Sequence, residues 1–162
     1  ANVCTTPVSL VDGFQTFIHA LGAKPNPADA ALPGHSLLDI ARGHVPERTI
    51  LSEYHAAGAM TGSYMIRHGR FKYIYYVGLP PMLFDLEADP FERTDLGCHG
   101  DYANVVHECE AQLRTLVDPE AADKLARADQ GRYIEKFGGR DTILKRGTFR
   151  YSPPPGAKPS YY

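Results

Sequence analysis

A chain of 162 residues has the length of one domain and is long enough to bury a core. With 17 Lys and Arg against 19 Asp and Glu, its net charge of −2 gives no basic excess, which argues against nucleic acid as a partner. Its apolar runs are too short to cross a bilayer, so no membrane partner is expected. Cys4, Cys98 and Cys109 are odd in number and irregular in spacing, which speaks against a disulfide framework. Free thiols fit a reducing compartment, and a cytoplasmic location is the expectation.

In chain order, Thr6-Pro7 predicts a helix start, with Thr6 as N-cap and Pro7 in the first turn. Val8, Val11, Phe14, Phe17, Ile18 and Leu21 follow at three- and four-residue steps, and Gly22 ends the run. A proline-rich loop over 24–33 leads to a short helix over Ser36–Arg42, capped by Ser36. Thr49–Tyr54 reads as a strand. Ser63–Arg67 and Arg70–Val77 read as a hairpin whose two-residue turn is His68-Gly69, which puts Ile66 opposite Phe71 and Tyr64 opposite Tyr73. That arrangement gathers Tyr64, Ile66, Phe71, Tyr73 and Tyr75 on one face. Met82–Asp85 predicts a further short strand.

Asp101 is expected to cap a helix whose buried stripe is Tyr102, Val105, Val106, Cys109, Leu113 and Leu116. Asp118-Pro119 restarts a helix that runs to about Phe137, before Gly138-Gly139. The expected fold class is α+β, a small antiparallel sheet packed with helices. Three regions are expected: 1–48 (helix and linking loop), 49–137 (sheet and covering helices) and 138–162 (extended tail). Ile143, Leu144, Phe149, Tyr151, Tyr161 and Tyr162 make that tail a candidate for contacts within a homo-oligomer.

A search for chemistry finds no phosphate-binding glycine loop, no nucleophile elbow and no zinc-ligand spacing. No catalytic residue and no metal ligand is therefore assigned. Two residues stand out as candidate substrate contacts. Glu53 lies at a strand end and needs water, a partner or a ligand if it shares a face with Thr49 and Leu51. His55 follows directly and leads into Ala56-Ala57-Gly58-Ala59, a small-residue loop that could admit a ligand. The bland alternatives are a salt bridge from Glu53 to Arg48 or Arg67, and a loop-capping role for His55.

Four segments, in order, resemble the sulfatases. Thr6-Pro7-Val8-Ser9-Leu10-Val11-Asp12 is similar to the start of a late helix in that family, where Val-Ser-Leu-Val-Asp-Leu-Phe-Pro-Thr-Leu is usual. Here Gly13 and Gln15 replace Leu and Pro. Gly34-His35-Ser36-Leu37-Leu38 resembles the family's Gly-Arg-Ser-Leu-Leu. Met65–Ile74 resembles its Ile-Arg-Asp-Gly-Arg-Tyr-Lys-Tyr-Ile hairpin, and Leu83–Glu92 its Leu-Tyr-Asp-Leu-x-x-Asp-Pro-x-Glu, with Asp95-Leu96 where Asn-Leu is usual. The match covers about residues 6–96, and the layout that follows is similar to choline-sulfatase-like members. Phosphonate monoester hydrolases have comparable segments.

The resemblance implies the C-terminal subdomain of an α/β sulfatase, a hydrolase of sulfate esters. It implies a formylglycine nucleophile and a divalent metal, usually calcium, both in sequence that precedes this chain. The Cys/Ser-x-Pro-x-Arg motif that yields formylglycine has no match here: Cys4-Thr5-Thr6-Pro7 has its proline one place late and no Arg. The chain alone is expected to be inactive and to wall the substrate cleft of a longer enzyme. Glu53 is then the expected contact for a cationic sulfate ester, aided by aromatic faces. A non-catalytic structural or oligomerisation domain, or a portion of a related phosphonate or phosphate ester hydrolase, is the alternative.

Overall fold

The structure is a computed structural model and describes residues 3–55 and 59–147. It falls into two compact units that divide after Pro119.

The first unit is built on a four-stranded antiparallel meander in the order β1 (Ile50–Tyr54), β2 (Ser63–His68), β3 (Phe71–Tyr76) and β4 (Leu79–Asp85). One cross-strand row runs Leu51, Ile66, Tyr73 and Leu83. The last three of these are fully buried. Neighbouring Tyr64 is also fully buried and donates its hydroxyl to the Pro119 carbonyl at 2.8 Å. Helix α3 (Ala103–Leu116) packs on β2 and β3 and contributes buried Cys109 and Leu113 to this core. Burying Ile66, Leu83 and Leu113 alone contributes roughly 2 kcal/mol each.

The expected hairpin is present but its register differs. Ile66 stands opposite Tyr73, Tyr64 opposite Tyr75, and His68 opposite Phe71. The turn residues are therefore Gly69 and Arg70. The physical reason lies in Gly69, whose φ is +53°. A turn on His68-Gly69 would require positive φ at His68 as well, whereas a turn that places Gly69 first asks it only of glycine. The partner moved by two positions, so side-chain parity is unchanged and the apolar face is the expected one.

β4 begins three residues earlier than expected, running through Pro80 and Pro81. A bulge makes this possible. Tyr76 pairs with Leu79 and Ile74 pairs with Met82, so two prolines sit where one residue would face Tyr75. β4 is an edge strand, where missing N–H donors are tolerated.

Helix α1 spans Asp12–Ala20, not a segment starting at Pro7. The Asp12 side chain accepts the Ser9 N–H at 2.7 Å, and the Asp12 N–H returns to the Ser9 carbonyl at 3.0 Å. This closed turn delays the helix. The short helix α2 (Leu37–Ala41) follows expectation, with the Ser36 hydroxyl accepting the Leu38 N–H. α3 is entered through a 3-10 turn at Gly100–Tyr102, and Asp101 does not cap it. The Tyr102 N–H instead finds the His99 carbonyl at 2.9 Å. Leu116, expected in the stripe, is 47% exposed.

In the second unit, α4 runs Pro119–Lys136 and ends at Gly138-Gly139 as read from the sequence. Residues expected to be extended form a short helix, α5 (Arg140–Arg146). Phe149, Tyr151, Tyr161 and Tyr162, named above for oligomer contacts, lie outside the described residues.

Candidate functional site

Glu53 is the fourth residue of β1 and stands in a cross-strand row with Tyr64 and Tyr75, on the face that carries α3. Its side chain is 38% exposed. His55 lies two residues on, just past the strand end, and its Nε2 approaches Glu53 Oε2 at 3.3 Å. The imidazole also meets the Tyr64 ring edge-on, with centroids 5.3 Å apart. Strand alternation puts Glu53 and His55 on one side of the chain and sends Tyr54 to the other. The two sequence-picked residues are thus brought together.

Both alternatives for Glu53 fail. Arg48 is taken by Asp12, and the Arg67 Nε donates to the Gly69 carbonyl at 3.0 Å. The aromatic help expected beside Glu53 is not assembled. Tyr64 is fully buried, and Tyr54 looks into a shallow recess on the opposite face lined by Met60, Ser63, Tyr76 and Leu79. Chemically, the Glu53–His55 pair presents an anchored carboxylate with open solvent access. Such a group can hold a cation or a hydroxyl, but it carries no nucleophile.

The groups that sequence reading passed over are buried acids. Asp12 has no exposed surface and collects the N–H of Ser9 at 2.7 Å, the N–H of His35 at 2.9 Å and Arg48 Nη1 at 2.9 and 3.0 Å. Burial alone would raise its pKa, but the Ser9 and His35 N–H groups and the Arg48 guanidinium together hold it below the ordinary carboxylate value. Gly34 makes the His35 contact possible: a Cβ there would stand 2.5 Å from the Val11 carbonyl oxygen.

Asp85 is similarly buried, paired with Arg70 and accepting the N–H groups of Glu87 and Ala88. Asp89 accepts from Arg93 and Thr94, and Asp95 from Leu83 and Gly97. The acids of the Leu83–Leu96 segment therefore staple a loop rather than face a ligand. The signal available in sequence was an acid flanked by apolar residues, Val11-Asp12 and Phe84-Asp85.

Among the described residues, no group of three or more His, Cys, Asp or Glu is placed to hold a metal ion. The residues present do not fit the calcium that the resemblance implies, and no step is routed through it. Among the described residues no helix is long and apolar enough to cross a membrane.

The fold and the pairing at β1 can be set beside known proteins. No protein-family model matches the chain. Arylsulfatase K of Rattus norvegicus is 32% identical over 141 residues, which is 78% of this chain and 24% of that protein. Choline-sulfatase of Rhizobium meliloti is 35% identical over 91 residues, 56% of this chain and 18% of that protein. The chain is a sulfatase segment. A crystal structure of a Bacteroides thetaiotaomicron protein assigned as a sulfatase superposes with a TM-score of 0.55 at 27% identity, covering 68% of this chain and 24% of that one. The four-stranded sheet with its helices is the C-terminal subdomain of that sulfatase fold. The chain spans about a quarter of the length of the curated relatives it matches.

Proposed function

We propose that this segment belongs to an enzyme that hydrolyses sulfate esters, and that within it the chain completes the fold and forms one wall of the substrate cleft. The observation that carries the cleft role is the Glu53–His55 pair: a half-open carboxylate, fixed by a 3.3 Å contact, at the end of a strand in a sulfatase segment. The reaction's nucleophile and metal, formylglycine and calcium by family resemblance, come from sequence outside this chain. Glu53 contributes charge to substrate choice and takes no part in bond breaking. A cationic sulfate ester is the substrate class that its carboxylate suits.

The test is Glu53→Gln in the longer polypeptide that carries this chain with its upstream coding sequence. The variant keeps shape and removes charge. For a cationic ester, kcat/KM is expected to fall about ten- to a hundredfold, the loss of roughly 1–3 kcal/mol of charge-assisted contact. For a neutral aryl sulfate the change is small. Equal losses on both esters would assign Glu53 a structural role, and no loss on either would leave it an ordinary solvated carboxylate.

A further inference from the structure

Helix α1 is built inside out. The residues that attach it to its own unit are polar and recur at i, i+4 and i+7. Asp12 reaches His35 and Arg48, the Thr16 hydroxyl accepts the Leu37 N–H at 2.9 Å, and His19 Nδ1 lies 3.3 Å from Asp39. Its apolar residues face the other way. Val11, Phe14, Phe17 and Leu21 are 46, 41, 70 and 79% exposed, and Leu10 just before them is 99% exposed. An amphipathic helix turns its apolar stripe toward a core, and contiguous exposed apolar surface marks an interaction site. The helix cannot simply roll over to hide the stripe, because rotation would pull Asp12 off Arg48 and the Ser9 and His35 N–H groups.

We propose that the Val11–Phe14–Phe17–Leu21 stripe is the seam along which this chain packs on the remainder of a sulfatase polypeptide. This rests on the sulfatase reading above. The relatives are about four times as long as the stretch they share with this chain, and the stripe is the largest run of open apolar side chains on any one of its helices. A second copy of the chain is a poorer occupant. A nine-residue helix is about 14 Å long, and four side chains on it fall short of the roughly 800 Å² per partner that a stable dimer needs. A covalently joined neighbour does not pay the association entropy and can use a seam this small.

The experiment places a thiol in the stripe. Phe17→Cys is made in a Cys4→Ser, Cys98→Ser background, leaving buried Cys109. Maleimide labelling is followed in the 162-residue chain and in the longer polypeptide with its upstream coding sequence. The expected result is rapid labelling in the chain alone and labelling roughly a hundredfold slower in the longer polypeptide, where the thiol reacts only through local opening. Equal rates in both would overturn the proposal. So would protection in the chain alone that tracks dimer formation on dilution, which would assign the stripe to a second copy. Phe14→Asp with Phe17→Asp gives an independent reading: helical content of the chain alone is kept, while soluble yield of the longer polypeptide falls; unchanged yield contradicts the seam. Sulfate release measured on the same longer polypeptide reports on the enzyme reading separately, since protection without turnover leaves the seam standing and removes the activity.

Discussion

Both carboxylate oxygens of Asp12 lie within 3.0 Å of a single guanidinium nitrogen of Arg48, across 36 residues of sequence. That contact joins the start of α1 to the lead into β1, and Asp12 is wholly buried while Arg48 is nearly so. Removing one partner of such a pair leaves the other charge uncompensated. Asp12→Asn is expected to lower stability by about 3 kcal/mol in urea unfolding at neutral pH.

The pH dependence follows from the lowered pKa of Asp12. A carboxyl group whose folded value lies below its unfolded value stabilises the protein above the ordinary carboxylate pKa of about 3.9. That stabilisation is lost as pH falls from there through the lowered folded value. Urea melts of wild type and Asp12→Asn should therefore differ most near neutrality and converge in acid. A gap that stays constant down to the acid limit would show that the charge of Asp12 is not what stabilises the fold.

Gly69→Ala tests the corrected turn. The added methyl would meet only Glu47 Oε1 at 3.6 Å, an ordinary contact, so the cost is the backbone alone. About 1 kcal/mol is expected at a φ of +53°. His68→Asn, neutral if His68 were a turn residue, is expected to be destabilising instead. His68 Nδ1 lies 2.7 Å from the Thr49 hydroxyl and would lose it. Thermal unfolding of the two variants decides between the registers.

The three thiols are expected to separate cleanly. Cys4 is exposed and hydrogen bonds from Thr6 lower its pKa, while burial pushes the Cys109 thiol up to about 11. Brief alkylation at pH 8 in the folded state should modify Cys4 and Cys98 and spare Cys109 until denaturant is added. Modification of Cys109 at the same rate as the others would contradict the packing of α3 on the sheet.

The strands were legible because alternation of Tyr64, Ile66, Tyr73 and Tyr75 with charged neighbours has one solution for which face is buried. The exact turn was not, since parity is preserved when the partner slips by two and only the backbone demand at Gly69 breaks the tie. The start of α1 was missed because Thr6-Pro7 is a sound local signal, yet Asp12 binds the Ser9 N–H more firmly and does so through distant Arg48. The apolar spacing of α1 was read correctly as a stripe, but spacing does not say whether the cover lies within these residues. Glu53 and His55 were found from their place at a strand end. Their mutual contact, in place of Arg48 or Arg67, depended on where those arginines were already held.

The central claim is that this chain is one portion of a sulfate-ester hydrolase and holds none of its reacting groups. The direct measurement is sulfate release from an activated aryl sulfate, with calcium present, by the 162-residue chain and by the polypeptide that carries it with its upstream coding sequence. Turnover by the longer polypeptide, with none above a protein-free control for the chain alone, is the predicted result. Turnover by the chain alone that survives repurification, or a longer polypeptide that cleaves phosphonate monoesters and leaves sulfate esters intact, would contradict it.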